Sequence, residues 1–288
     1  MSLFTQAVIS GLMAGAVYAL LAIGLIITLR TSRILNLAYG ETYAIAGLAV
    51  ALLTKAGSPL WLAILLALVL AVVFSVGLDR LLLQPRSHWP IPMLILVTLG
   101  VAFVSRGVLL VLAGIDPLSF PRLVAGKPLR WLGGALPPQG LLLIVVGVAA
   151  AFAATAFMAH TRIGRQLRAC AANADAAQLL GVDVGRARAI AFAIAGLLGG
   201  LAAVLLVPLT SVDFQAGLAM TLRGFIAAAL AGMVPARGVP AGLCLGLFES
   251  FVSTYVDALA QDPIVFVVLI GAALWQSRAI RHGGGLRA

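Results

Sequence analysis

The sequence predicts an all-α, polytopic bundle of transmembrane helices, and three observations support this fold class. Hydrophobic residues make up 62% of the 288 residues, and charged residues only 10%. The mean hydropathy is +1.14. An ordinary soluble domain has roughly a quarter of its residues charged. These values exclude disordered, disulfide-stapled and simple globular proteins, because such proteins could not hide so much apolar surface from water.

Nine apolar runs follow one another, and we expect about eight full spans and one short or re-entrant helix. A span needs about 20 apolar residues to cross a hydrocarbon core of about 30 Å. The run over 222–234 is short by this measure, since it provides only about 20 Å of helix. The runs cover residues 5–29, 34–53, 59–78, 91–113, 141–158, 187–208, 222–234, 239–255 and 263–275.

The first and the seventh run have individual features. No Lys or Arg precedes the run over 5–29, and the run is longer than the apolar region of a signal peptide, so we expect a retained span. Pro235 and Gly238 break the backbone after the run over 222–234. Lipid does not tolerate such a break, so it should face protein or a water-filled cavity.

Three G-x-x-x-G pairs predict close helix contacts within the bilayer. Such pairs let two backbones approach closely. Packing within this chain is the favoured interpretation, and a subunit interface is the alternative. The pairs are Gly11/Gly15, Gly196/Gly200 and Gly242/Gly246.

The basic residues predict the orientation. If each run crosses once and the Arg-rich loop 160–188 is cytoplasmic, 13 of the 19 Lys and Arg residues lie inside and four outside. Cytoplasmic loops are enriched in such residues. We therefore expect the N-terminus outside and the C-terminus inside, unless the short run turns back.

Charged side chains also lie inside apolar runs, where they are costly and either pair or line a path. Glu41, Arg106 and Glu249 are of this kind, and Arg106 is predicted to pair with Glu249 or Glu41. Asn36 and Tyr39 can offer hydrogen bonds just before Glu41, and Gly40 allows the backbone to face a cavity. The alternative is an ordinary capped helix start.

The loop 160–188 carries signals for two short helices. Asp175 is predicted to cap the second helix with Gln178 three residues later, and Gly181 to end it in a left-handed conformation. The loop is interpreted either as a docking element for a groove on another subunit or as a basic surface on lipid headgroups. Four residues form an apolar knob on it: Ala176, Ala177, Leu179 and Leu180.

The chain offers little for catalysis. Its two lysines stand outside any phosphate-binding loop, and its three histidines are scattered without Cys or carboxylate at metal-ligand spacing. The arginines fall between apolar runs, so nucleic-acid binding is disfavoured. We expect no cofactor, no metal site and no enzyme activity.

Four blocks occur in order along the chain, and together they resemble the LivH family of permeases from ATP-driven importers of branched-chain amino acids. The resemblance covers about the whole sequence. The blocks are Gly15-x-x-Tyr18-Ala-Leu-x-Ala-Ile-Gly24, Asn36-x-Ala-x-Gly40-Glu41-x-Tyr43, Gly164-Arg-x-x-Arg-Ala-Cys-Ala171 leading to Ala177-x-Leu-Leu-Gly181, and Gly246-x-x-Glu249-Ser.

The resemblance implies a single membrane permease domain over 1–288 with a type-II-importer-like fold in the bacterial inner membrane. It also implies partners: a second, LivM-like permease, two cytoplasmic ATP-binding subunits and an extracytoplasmic solute-binding protein. The small-molecule substrate would pass by alternating access, as a branched-chain or other small neutral amino acid.

The resemblance also implies site residues. Asn36, Tyr39, Gly40, Glu41 and Glu249 would stand near the substrate path. The residues of the ATPase-coupling segment would be Gly164, Arg165, Arg168, Asp175, Ala176, Ala177, Leu179, Leu180 and Gly181.

Three departures from the family pattern leave the solute open, with urea and amides as further candidates. Tyr39 stands where the family usually has His, residues 231–238 replace a Gly-Gly-x-Gly-Ser stretch, and residues 275–278 replace a Pro-x-Gly ending. The alternative function is a stand-alone secondary carrier or channel for a small polar solute, with Glu41 or Glu249 as its proton or ion site.

Overall fold

The computed structural model describes residues 2–131, 133–256 and 267, and the described chain is mostly helical. A π-helical turn, Leu78–Leu83, extends α3, and a short 3-10 helix, Pro235–Arg237, precedes α10. The α-helices in the described ranges are α1 Ser2–Ser32, α2 Glu41–Lys55, α3 Leu60–Gly77, α4 Ile91–Ala113, α5 Pro138–His160, α6 Arg162–Ala172, α7 Ala174–Leu179, α8 Val184–Leu206, α9 Ala216–Leu230 and α10 Gly238–Tyr255.

α1 lies at the centre of the bundle and packs against α5, α8, α9 and α10. Its residues from 15 to 28 are all buried because helices surround them. α3, α4 and α5 lie at the periphery and expose large apolar side chains such as Trp61, Phe103 and Phe152. These outer faces suit contact with lipid, since an all-round apolar helix surface is stable there and not in water.

Five helices of the described chain are long and apolar enough to span a membrane, or six if α9 and α10 together form one broken span. The eight full spans predicted from sequence are not confirmed. The run over 34–53 yields a helix of only 15 residues, because residues 33–40 are not helical and α2 begins at Glu41. The run over 263–275 and the C-terminus lie outside the described residues.

The predicted break after residue 234 is present, and it bends α9 and α10 by 105°. Gly232 and Met233 both have positive φ angles, of 62° and 58°. Two left-handed residues in succession end α9 abruptly, and Pro235 then starts the 3-10 helix. Val234 and Pro235 line a cavity at this break, whereas Gly232 and Ala236 are exposed, so the predicted shielding of the break from lipid stays a prediction.

The small-residue pairs pack within this chain, which confirms the favoured interpretation. α10 runs antiparallel to α1, and a methyl group added at Gly15 would lie 2.7 Å from the Cα atom of Leu243. A methyl group at Gly242 would meet the backbone of Ala19. The pair Gly196 and Gly200 faces α3 in the same way.

One small sheet interrupts the all-α pattern. β1 (Leu129–Trp131) and β2 (Gly134–Leu136) form an antiparallel hairpin near the start of α1, where the Ala135 N–H donates to the Gln6 side chain. We call this the hairpin end of the bundle. The opposite end carries α6 and α7, and we call it the loop end.

Candidate functional site

The segment 33–40, here called the connector, joins α1 to α2 without helical structure. It starts at Arg33, which has a φ of 58°. Asn36 accepts a hydrogen bond from the Ala38 N–H through its side-chain oxygen, at 3.0 Å, and so folds the connector into a turn. This confirms an irregular path before Glu41, where an ordinary capped helix start was the alternative.

Two threonines from other helices hold the connector in place. The Leu37 N–H donates to Thr98 Oγ1 of α4 at 3.1 Å, and the Gly40 N–H donates to Thr221 Oγ1 of α9 at 2.8 Å. A side chain at Gly40 would collide with Thr221 and with the Gly217 carbonyl. Sequence reasoning missed both threonines, although a polar residue within an apolar run was a usable signal.

Glu41 pairs with Arg106, which is one of the two pairings predicted. Both Nε and Nη2 of Arg106 lie 3.1 Å from Glu41 Oε1. The Glu41 side chain is 0% exposed and that of Arg106 15% exposed. The carboxylate also packs against Gly217 of α9, where any side chain would collide with it.

Glu249 of α10 pairs with Arg223 of α9 instead, at 3.0 Å, and it too is buried. α9 therefore touches both embedded carboxylates, Glu41 through Gly217 and Glu249 through Arg223. The structure thus brings the connector residues together and sets Glu249 on a separate helix. Asn36, Tyr39, Gly40, Glu41 and Glu249 are all buried, and their role near a substrate path stays a prediction.

Tyr39 is fully buried against Gly24 of α1 and Gly199 of α8. Its hydroxyl has no hydrogen-bond partner in the part of the chain that the structure describes. A buried hydroxyl without a partner costs roughly 1–3 kcal/mol.

We expect Tyr39→Phe to raise the free energy of unfolding by about 1 kcal/mol, because the substitution removes this unsatisfied group. Reversible unfolding of the purified chain in detergent micelles measures the change. Tyr43→Phe is the matched control, since Tyr43 is equally buried but its hydroxyl is not among the buried groups without a partner, so its removal should bring no gain. A loss of stability in Tyr39→Phe equal to that of Tyr43→Phe would contradict the prediction.

A third buried pair was not predicted. Arg188 was assigned to the cytoplasmic loop, but it lies in α8 and its Nη2 donates to Asp79 Oδ1 at 2.6 Å. The Asp79 side chain is fully buried in the π-helical turn. The pair therefore fixes the end of α3 to the start of α8, at the loop end of the bundle.

The loop 160–188 folds into two short helices, α6 and α7, as predicted, but the capping residue differs. Asn173, not Asp175, accepts the hydrogen bond from the Ala176 N–H and caps α7. Asn173 is the last residue before α7 and has an extended backbone, whereas Asp175 already lies in its first turn. Gly181 has a φ of 82° and ends the segment as predicted.

The predicted knob divides into a buried and an exposed part. Ala177 is 2% exposed and anchors α7, whereas Leu179 and Leu180 are 90% and 84% exposed. Ala176, Asp175 and Arg165 are also exposed. The two leucines thus form an apolar pair that no other described residue covers.

α6 is held against the end of α5, at the loop end of the bundle, by several contacts. Gly164 packs against the backbone carbonyls of Phe157 and Met158, and Arg168 donates a hydrogen bond to the Met158 carbonyl. Thr161 caps α6 by accepting from the Gly164 N–H at 2.9 Å. At the other end of α6, Arg33 of the connector donates to the Ala172 carbonyl at 3.1 Å. The loop and the connector are therefore in direct contact.

The sequence matches a family of known transport proteins. A family model described as "Branched-chain amino acid transport system / permease component" matches residues 7–274. The chain is 27% identical to the high-affinity branched-chain amino acid transport system permease protein LivH of Escherichia coli K12, over 93% of this chain and 92% of the relative.

Other relatives agree with this match. The permease protein BraD of a high-affinity branched-chain amino acid transport system from Pseudomonas aeruginosa is 27% identical, over 96% of this chain and 95% of the relative. The autoinducer 2 import system permease protein LsrC of Yersinia enterocolitica is 25% identical, over 90% and 72% respectively. No solved structure matches the chain significantly. The long apolar helices and these matches together identify a multi-pass membrane protein that belongs to the family of permease components of branched-chain amino acid transport systems.

Proposed function

We propose that this chain is one half of the membrane pore of an ATP-driven importer for branched-chain or other small neutral amino acids. A second permease completes the pore, two cytoplasmic ATP-binding subunits drive it, and an extracytoplasmic binding protein delivers the solute. The observation that carries this proposal is the exposed leucine pair, Leu179 and Leu180, on a rigid loop at the Arg-rich end of the bundle.

The leucine pair suits a protein groove. Two leucines almost fully exposed to water lose about 1.5–3 kcal/mol each relative to burial. α7 is capped by Asn173 and ended by Gly181, so the pair is presented in a fixed geometry. A fixed apolar pair of this kind is typical of helix-in-groove recognition.

The lipid-surface interpretation of the same loop is less favourable. Asp175 is exposed before the leucine pair, and Asp183 is exposed after it, where it forms an ion pair with Arg186. Carboxylates are repelled by an anionic leaflet, which attracts basic segments. We infer that α7 points away from the membrane, towards a cytoplasmic subunit.

Contacts between α6 and the connector couple the position of the loop 160–188 to the helices of the bundle. A displacement of α7 is transmitted to α6, which precedes it directly in the chain. The hydrogen bond from Arg33 to the Ala172 carbonyl joins α6 to the connector. The connector in turn is bonded to α4 and α9 through Thr98 and Thr221. In this proposal, ATP-driven closure of the partners shifts these contacts and biases the path between two states.

Replacing both leucines by serine should abolish coupling. In the complete complex reconstituted in proteoliposomes, we expect Leu179→Ser with Leu180→Ser to reduce ATP-driven solute uptake by at least about tenfold, the effect of losing 1.4 kcal/mol of docking energy. Ile163→Ser is the matched control, because Ile163 is a less exposed apolar residue of α6. Unchanged uptake and ATPase stimulation in the leucine variant would refute the docking role.

The predicted orientation can be checked by labelling. Cys170 is buried and Cys244 exposed, so a Cys244→Ser background leaves an added Leu180→Cys as the accessible thiol among the described residues. A membrane-impermeant maleimide should label this thiol in inside-out vesicles but not in intact cells. Labelling in intact cells would place the loop outside and end the proposal.

Solute choice is tested with the reconstituted complex and its binding protein. Uptake of labelled leucine, urea and a short amide is compared with and without ATP. We expect ATP-dependent uptake that favours the aliphatic amino acid. Gradient-driven uptake by this chain alone would support the stand-alone carrier instead.

A further inference from the structure

A cavity of about 330 Å³ opens at the loop end of the bundle, beside the break between α9 and α10. Its walls come from the ends of α1 and α5, from α6 and from the 3-10 helix. Arg30 and Arg168 stand at its edge, and Met158, Val234 and Pro235 form its apolar wall.

A second hollow, of about 400 Å³, continues from this cavity along the outer face of α5. The two share Thr155, Ala159 and Ala236, so they adjoin on the surface of α5, and together we call them the groove. Its far end is lined by Phe152 and Ala156, which lie on the exposed apolar face of α5. The groove therefore runs from an arginine-lined head to a membrane-facing apolar tail.

The charge at the head of the groove is positive. Among the described residues, no Asp or Glu lines either hollow. Among the residues that the structure describes, the ion pairs involve Glu41, Asp79, Asp183 and Glu249, and none includes Arg30 or Arg168. Arg168 uses one donor on the Met158 carbonyl, and a guanidinium has five.

We propose that this groove binds an anionic phospholipid, with the phosphate between Arg30 and Arg168 and an acyl chain along Phe152 and Ala156. Guanidinium groups bind phosphate oxygens through strong charge-assisted hydrogen bonds. Basic pockets between transmembrane helices on the cytoplasmic side are suited to such headgroups. The apolar tail explains why a lipid fits better than a free phosphate ion, which would leave that part of the groove unused.

The position of the groove gives the lipid a structural role. Its wall includes Val234, Pro235 and Ala236, which directly follow the left-handed residue Met233. A bound lipid would therefore brace the bend between α9 and α10 against α5. This inference does not depend on the solute that the chain transports.

The test measures lipid retained by the purified full-length chain. The protein is extracted in mild detergent from membranes that contain phosphatidylglycerol, cardiolipin and phosphatidylethanolamine, and bound lipid is quantified by mass spectrometry. We expect the anionic lipids to be enriched over their share of the membrane. Arg30→Gln with Arg168→Gln should lower the retained anionic lipid about tenfold, since both charge-assisted contacts are lost.

Two further variants make the test sharp. Ala156→Trp fills the apolar tail without changing charge, and because Ala156 is exposed the fold should tolerate it. It should also reduce retention. Lys127→Gln with Arg130→Gln removes two exposed charges at the hairpin end and should leave retention unchanged.

Three results would overturn the proposal. One is equal retention in wild type, the double arginine variant and Ala156→Trp. Another is binding of inorganic phosphate that is as tight as binding of the lipid, which would show an anion site without an acyl requirement. The last is loss of the lipid when the second permease is bound, which would show that the groove is a subunit interface.

Discussion

We expect Arg106→Gln to lower the free energy of unfolding of this chain by about 3–5 kcal/mol, because it leaves the Glu41 carboxylate buried without its counter-charge. Glu41 is 0% exposed, and Arg106 contacts it through two nitrogen atoms. Its second oxygen is already without a hydrogen-bond partner among the described residues, so water or protein cannot easily compensate. Reversible unfolding in detergent micelles or bicelles measures the loss.

The double variant Glu41→Gln with Arg106→Gln is the decisive control. It removes both charges, so most of the lost stability should return, as expected for a pair whose members are costly only when separated. Lys55→Gln, an exposed cation at the end of α2, should change stability by less than about 0.5 kcal/mol. Additive losses in the double variant would show that the pair does not interact.

Gly242→Leu is expected to disrupt the contact between α1 and α10. A side chain at Gly242 would occupy the position of the Ala19 backbone, and Gly246 and Gly15 meet just as closely one turn further along. The helices can accept leucine only by moving apart, which costs about 3 kcal/mol or more for overpacking and lost contacts. The yield of folded, monodisperse protein and its unfolding free energy report the effect.

Cys244→Leu is the matched control for this substitution. Cys244 lies two residues along the same helix and is exposed, so the added volume meets no backbone. Its stability should remain close to that of the wild type. If both leucine variants lost the same stability, added side-chain volume anywhere on α10, rather than close packing at Gly242, would explain the result.

Much of the bundle was predictable because long apolar runs have few alternatives in a membrane. The boundaries of α4 and α10 agree with the runs to within one residue. The start of α2 was not predictable in this way, because residues 34–40 are apolar enough for a helix. These residues form a turn instead, because their backbone N–H groups donate hydrogen bonds to Thr98 and Thr221 on distant helices.

The sequence could predict only part of the pairing between embedded charges. An acid within an apolar run demands a partner, so a Glu41–Arg106 pair could be proposed together with its alternative. The choice depends on which helices are neighbours, and that information is absent from spacing along one chain. Arg188 was placed in the loop for a related reason: it stands near other arginines in the sequence, yet it lies in the second turn of α8 and pairs with Asp79.

The N-cap residue of α7 also could not be predicted from local sequence alone. Asn173 and Asp175 are both good N-cap residues. The end of α6 at Ala172 puts Asn173 in the extended conformation that capping needs. A single residue at the end of the preceding helix thus decides between two equally good sequence signals.

The π-helical turn at the end of α3 has a consequence for relatives of a different length in this segment. Ala71, Ser75, Asp79 and Leu83 are buried at a constant spacing of four residues. In an α-helix this spacing overshoots a full turn by about 40° at each step, so the series would drift off one face. The wider π turn reverses that drift, keeps Leu83 buried and returns Asp79 to α8, where it pairs with Arg188. In a relative with one residue fewer between positions 77 and 84, the turn is expected to be α-helical, so that an acid at the position of Asp79 would no longer face Arg188.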